Sequence, residues 1–532
     1  MKQARQKATL ITIACVWLLT GAMLFVATSA FAQNESRGSD IYTQLSLFTE
    51  VLQKVKQYYV TDLDDEALIK AAIIGMLGDT DPHTTYFTKE EFTDFTTSTR
   101  GAFGGLGIQI DKIGDYVTVV SPIEGTPAFR MGISAGDKIV KVDDRSIVGL
   151  STDEAIKYMR GDVGTRVTIT IQRPGVPEPM EFVIFREIIK IKSVPYFFKL
   201  DNGVGYIRMT QFNENTTQEL RDALGNLEAE NIRGLILDLR SNPGGLLDQA
   251  VDTVNEFIGK DKLVVETKGR IPSSNRQHHT RFATKARNYP IIVLVNEASA
   301  SASEIFAGSL QDWDKGLVMG KTTFGKGSVQ QLLPLMNGNG IKVTTSYYYI
   351  KSGRCIHKML NDKLLRGKEV SESEKKEDEE KSHEQLYYTV NRRVVYGGGG
   401  ITPDIEAESD LLTSFGVELR RNNAFFNFAV DYQLEHEHIV PKDFQVDDAL
   451  FSSFLTFVRK QNISYTAADL DSTASFIRSS LKSEIIRSSQ GDNEAYRATI
   501  DQDKQLQAAI ALFDRFDTMS QMFDYAASQK KR

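Results

Sequence analysis

Residues 291–312 read IIVLVNEASASASEIFAGSLQD. The five consecutive apolar residues Ile291–Val295 have the length and β-branched composition of a buried strand. A small-residue loop follows, with Ser299, Ser301 and Ser303 at alternate positions, and Ser303–Asp312 reads as a helix. A strand that ends in a tight loop opening a helix exposes the loop side chains beside backbone N–H groups, which can stabilise a developing oxyanion. A serine at a helix start is also an ordinary cap. The stretch alone leaves both readings open.

The same strand-to-helix unit recurs on the N-terminal side. Gly205–Met209 precedes a helix over Thr217–Glu230, and Gly234–Leu239 precedes one over Leu247–Ile258. This alternation predicts an α/β core over 194–406 whose sheet is covered by helices. Between the second strand and its helix lies DLRSNPGGL, Asp238–Leu246, where Gly244 or Gly245 can present an N–H to an oxyanion. No Lys-Ser/Thr follows those glycines, so a phosphate loop is unsupported. Downstream, Gly320–Gln331 reads GKTTFGKGSVQQ, with Lys326 set between two glycines. A lysine serves as a general base only when neutral, which requires a desolvated site. A solvated surface lysine is the ordinary alternative.

Around the core the chain is α/β and multidomain. Residues 1–32 combine Lys2, Arg5 and Lys7, an apolar run from Ala8 to Ala27 and Ala30-Phe31-Ala32. This is the pattern of a signal peptide, or of a membrane anchor if it is retained. Either way the bulk is expected to be exported, periplasmic or attached to the outer side of the cytoplasmic membrane. Residues 40–98 read as an N-terminal helical region, in which Asp79-Thr80-Asp81-Pro82 ends a second apolar helix over Ala67–Leu77. Residues 102–190 read as a small β-rich domain, with alternating strands such as Tyr116–Val120 and Val167–Ile171 and a short helix at Asp153–Met159. A charged insertion at 361–384 reads as a solvated loop, and 410–532 as a C-terminal helical region.

Composition narrows the chemistry. With 532 residues and a formal net charge of -7, the chain has no basic footprint for nucleic acid. Apart from Cys15 in the apolar run, the one cysteine is Cys355, so no intramolecular disulfide is available. None of the seven histidines lies in an HExxH motif, and the two-residue spacing of His436 and His438 suits a metal poorly on a helix. No metal, nucleotide or other cofactor is expected.

Taken together, SASASE, FGKG and VQQ at this spacing resemble the C-terminal processing peptidases, or tail-specific proteases, over about residues 40–415. The resemblance implies a crotonase-like α/β protease core. It implies Ser301 as nucleophile, Lys326 as base, Gln330 as the supporting glutamine, and an oxyanion hole at the backbone of Ala302 and of Gly244 or Gly245. Glu297-Ala298 stands where the family often has Glu-Gly or Gly-Gly, a departure that touches loop flexibility. The β-rich domain resembles a PDZ domain. Its Gly105, Leu106, Gly107 and Ile108 are the expected carboxylate-binding loop, to which a peptide adds as a strand. The implied activity is an exported serine endopeptidase acting on protein or peptide substrates with free C-terminal tails. A homo-oligomer or an activating partner is left open. The alternatives are a catalytically silent ligand-binding module on the same core, or a PDZ scaffold.

Overall fold

In the computed structural model Ile291–Val295 is a strand buried along its whole length, and it occupies the middle of a six-stranded sheet. The order is Tyr196–Lys199, Val204–Arg208, Gly234–Asp238, Ile291–Val295, Leu317–Gly320 and Ile405–Glu406. The first pair is antiparallel and the rest are parallel, so the loops that follow the parallel strands gather at one end of the sheet. The structure describes residues 41–123, 125–358, 371, 373–374, 385–408, 412–436, 440–441 and 444–529. They fall into two units, 1–79 and 80–532. The signal or anchor expected at 1–32, His383, His438 and all of the charged insertion but 371, 373 and 374 lie outside the described residues. Among the described residues no helix is long and apolar enough to cross a membrane.

Helices Thr216–Ala229, Leu247–Ile258 and Ala302–Asp312 pack on one face of the sheet through Leu224, Val254 and Phe306. On the other face Tyr206, Ile236, Ile292 and Leu294 are buried against Leu506, Ala509, Phe513 and Met522. These come from helices Lys504–Arg515 and Met519–Gln529. The expected C-terminal helical region therefore divides. Its last two helices are a layer of the core, whereas Ser414–Arg421, Ala424–Glu435, Asp448–Lys460 and Ala467–Gln490 bury a separate core around Phe425, Phe454 and Leu481. Both sets are amphipathic helices, and their apolar spacing does not say which surface each one meets.

A second sheet runs Thr85–Phe87, Gly340–Ile350, Leu263–Lys268 and Arg276–His279, with Ser328–Pro334 also pairing to Gly340–Ile350. Thr85–Phe87 interrupts the otherwise helical region over 40–98. It is three residues of strand, Thr-Tyr-Phe, released from the preceding helix by Pro82. It pairs with Gly340, Ile341 and Lys342. Within the first unit, the helix at 41–58 and helix Asp65–Gly78 are present.

The 102–190 domain is built on a sheet of Ile108–Ile113, Tyr116–Pro122, Lys138–Val142, Arg166–Gln172 and Met180–Phe185, with Arg145–Ser146 pairing to Lys138–Val142 and helix Thr152–Met159 capped by Ser151. Ala102–Gly105 pairs antiparallel with Glu187–Lys190 and ties its two ends together.

Candidate active site

The three alternating serines have different surroundings. Ser299 Oγ donates to the Leu239 carbonyl at 2.8 Å, and Ser303 Oγ donates to the Asn242 carbonyl at 2.9 Å. Both residues are fully buried, and both hydroxyls hold the loop to the neighbouring strand end. Ser301 differs in its backbone, with φ 56° and ψ −114° at the residue before helix Ala302–Asp312. That conformation is sparsely populated for a residue with a Cβ. Its hydroxyl meets Tyr348, a buried phenol that burial pushes up to about 12.

Asn242 joins this loop to the Pro-Gly-Gly segment. Its carbonyl accepts the Ala300 N–H at 3.0 Å, and its Oδ1 accepts the Gly244 N–H at 2.9 Å. Gly244, at φ +94°, has no room for a side chain, because a Cβ there would lie 2.8 Å from Ser301 Cβ. The N–H of Gly244 is therefore already engaged. Among the described residues the N–H groups of Gly245 and Ala302 have no acceptor, and Ala302 opens its helix, where backbone donors are left over.

Lys326 sits two residues before strand Ser328–Pro334, partly buried between Gly325 and Gly327. Gly325 and Gly327 allow that loop to press against the 356–358 backbone. Burial lowers the Lys326 amine from its ordinary value and the charge of Lys342 adds to this, against the opposing pull of Glu304 and Asp81. The amine has no hydrogen-bond acceptor among the described residues, and none joins it to Ser301 Oγ. The structure brings the two loops together through their backbones. Glu304, fully buried, accepts the Ser301 N–H at 2.7 Å and the Lys326 N–H at 2.8 Å on the same oxygen. Its other oxygen accepts Thr323 Oγ1 at 2.6 Å and the Gly325 N–H at 2.7 Å. Burial pushes this carboxyl up to about 7 in spite of the four donors. Gln330 shares a strand face with Ser328, whose Oγ accepts its Nε2 at 2.9 Å, whereas Gln331 is exposed.

The expected peptide site also has a form. Gly105, Leu106, Gly107 and Ile108 line a cavity of about 200 Å³, closed on the other side by Ile156, Met159 and Arg160. Gly107, at φ +78°, packs where a Cβ would lie 2.2 Å from Thr126. The N–H groups of Leu106 and Gly107 donate to nothing among the described residues. Arg160 stacks on the Phe103 ring at 4.6 Å, which sets a cation at the groove. Sequence reading passed over Arg160, Glu304, Tyr348, Asp81 and Thr344. Only Glu304 left a local sign, as the acid three residues after Ser301, and that pattern is common in any helix's first turn.

The chain is similar to known proteins over about two thirds of its length. Residues 203–362 match Peptidase family S41, 118–173 match the PDZ domain, and 415–469 match "Probable PDZ-protease, C-terminal helical domain". The chain is 41% identical over 342 residues to the carboxy-terminal-processing protease of Bartonella bacilliformis, covering 64% of this chain and 77% of that one. It is 35% identical over 338 residues to the carboxy-terminal processing protease CtpA of Bacillus subtilis, covering 63% and 71%. To the "Probable CtpA-like serine protease" of Staphylococcus aureus it is 38% identical over 343 residues, covering 64% and 68%.

Proposed function

This chain belongs to the carboxy-terminal-processing proteases, serine-type peptidases with a PDZ domain, and from that premise we propose that Ser301 is its nucleophile and Lys326 its general base. Membership sets aside the silent-module and scaffold readings. The observation that carries the assignment is the contrast within the serine triplet. Ser299 and Ser303 hold backbone carbonyls, while Ser301 alone takes the strained turn and faces a side-chain hydroxyl.

In this reading Ser301 Oγ turns from Tyr348 toward Lys326, whose neutral amine takes its proton as Oγ attacks the scissile carbonyl carbon. The oxyanion is held by the N–H groups of Ala302 and Gly245. Gly244 is replaced in that role, because its N–H is bonded to Asn242. Collapse breaks the C–N bond, and the proton on Lys326 passes to the leaving amine. Lys326 then activates water to release the acyl group. Gln330 supports the lysine. Before chemistry, the groove at 105–108 takes the substrate's C-terminal carboxylate on the Leu106 and Gly107 N–H groups, with Arg160 adding charge. The chain works as an endopeptidase outside the cytoplasmic membrane, which the expected export segment supports.

The test is activity on an unstructured protein, together with labelling by an active-site serine probe. Ser301→Ala should abolish both, while Ser299→Ala keeps the nucleophile. Labelling that persists in Ser301→Ala and disappears in Ser299→Ala would refute the assignment.

A further inference from the structure

Resting on the reading of Lys326 as the base, we propose that Asp81 and Thr344 are positioning residues that fix the side-chain amide of Gln330, so that its carbonyl oxygen is the group presented to the Lys326 amine. The two residues come from parts of the chain more than 260 positions apart. Asp81 lies in the turn before strand Thr85–Phe87, which pairs along Gly340–Ile350 and so carries the turn to Thr344.

Each hydrogen bond in this cluster fixes which way its groups point. Asp81 Oδ1 accepts the His83 N–H at 2.7 Å, the Thr84 N–H at 2.8 Å and the Thr344 hydroxyl at 3.1 Å. Its Oδ2 accepts Thr84 Oγ1 at 2.6 Å. Although burial opposes ionisation, these bonds hold the Asp81 carboxyl below its ordinary value. An ionised carboxylate only accepts, so the Thr344 proton is drawn onto Asp81. Thr344 Oγ1 is then left with lone pairs toward Gln330, and only an N–H can face them. Gln330 Nε2 does so at 3.3 Å, and its other N–H meets Ser328 Oγ at 2.9 Å.

Both amide protons are thereby placed, and Oε1 accepts from nothing else among the described residues. A β-bulge aids this. The pairing steps from Val329↔Ser346 to Gln330↔Thr344, so the extra residue, Thr345, is on the partner strand and Thr344 is brought opposite Gln330. Lys326 lies within the electrostatic reach of Asp81, so amine and cluster share one region. A carbonyl oxygen can orient a neutral amine without adding a charge that would favour its protonated form. A flipped amide would instead turn N–H groups toward the amine. The Asp81 turn is on this view part of the active site, although it precedes the PDZ domain in sequence.

The experiment is a cycle in the full chain, using a short unstructured peptide with a free C-terminal carboxylate. Thr344→Val, Thr344→Ser, Gln330→Ala and the Thr344→Val/Gln330→Ala pair are compared by kcat, KM and thermal midpoint. Thr344→Ala stands in if Val disturbs folding. Thr344→Val should lower kcat about tenfold with KM within about twofold, a change that corresponds to about 1.4 kcal/mol in the barrier. Thr344→Ser should restore most of it, and the double variant should be no slower than Gln330→Ala. Losses that multiply in the double variant would overturn the relay, since Thr344 would then act independently of Gln330. So would a Thr344→Val enzyme with full kcat beside an impaired Gln330→Ala. If Gln330→Ala itself keeps full kcat, the supporting role of Gln330 falls and the relay falls with it, while the Ser301–Lys326 assignment is judged separately by Lys326→Ala.

Discussion

Replacing Ser301 by glycine should leave the protein more stable than replacing it by alanine. The residue's φ of 56° and ψ of −114° are tolerated by glycine and resisted by any Cβ. Holding a side chain there costs on the order of 1–3 kcal/mol. Ser301→Ala keeps the Cβ and the strain, and Ser301→Gly removes both. Both variants lose the Tyr348 contact, so that loss cancels. Glycine gives back about 0.5–1 kcal/mol through the greater freedom of the unfolded chain. The balance favours glycine by up to about 2.5 kcal/mol. Both variants should be inactive, which removes self-cleavage from the measurement. Urea unfolding followed by fluorescence suits the comparison, since Trp313 caps the C-terminal end of the helix that Ser301 begins. A midpoint for alanine equal to or above that for glycine would refute the claim that the turn stores strain.

Three further outcomes follow from the site. Activity should fall on acidification as Lys326 becomes protonated. Because the charge of Lys342 helps to lower this amine, against Glu304 and Asp81, Lys342→Met should move the acid limb of the kcat profile to higher pH; an unmoved or acid-shifted limb contradicts the electrostatics. Glu304 has a raised carboxyl, so the folded chain binds a proton that the unfolded chain has released between pH 4.5 and about 7. Stability therefore drops as pH rises through that window. Relative to Glu304→Gln the wild type should lose about 3 kcal/mol across it, and parallel stability curves would exclude this. Amidating a peptide's C-terminus should reduce kcat/KM at least about tenfold. Arg160→Ala should narrow the gap between acid and amide, whereas equal rates for the two wild-type substrates would remove the carboxylate from recognition.

Much of the core could be read from local pattern, because Ile291–Val295 is an uninterrupted apolar run and Leu247–Ile258 repeats its apolar residues at helical spacing. The choice of Ser301 over Ser299 and Ser303 rested on resemblance. In the fold the three differ by what each hydroxyl meets, and those partners, Leu239, Asn242 and Tyr348, lie on other segments. Arg160, Thr344 and Asp81 escaped notice for the same reason, since each looks like an ordinary surface or turn residue until a distant strand is laid beside it. Thr85–Phe87 was too short to break a helical reading, and its strand character comes from the partner at Gly340–Lys342. The two destinations of the C-terminal helices are likewise set by which apolar surface is open to receive them.

One layer of the core sheet comes from helices Lys504–Arg515 and Met519–Gln529, and that fact sets a clock. Phe513 fills the space over Gly234, and Asp514 bonds Asn202 across 312 residues of chain. At about 5–20 residues per second, a ribosome needs roughly 15–60 s to supply that interval. Until then Tyr206, Ile236, Ile292 and Leu294 have an open face, and the strands that carry the active-site loops are unsupported on that side. The strands and the loops they carry gain their full support only after synthesis has passed these helices.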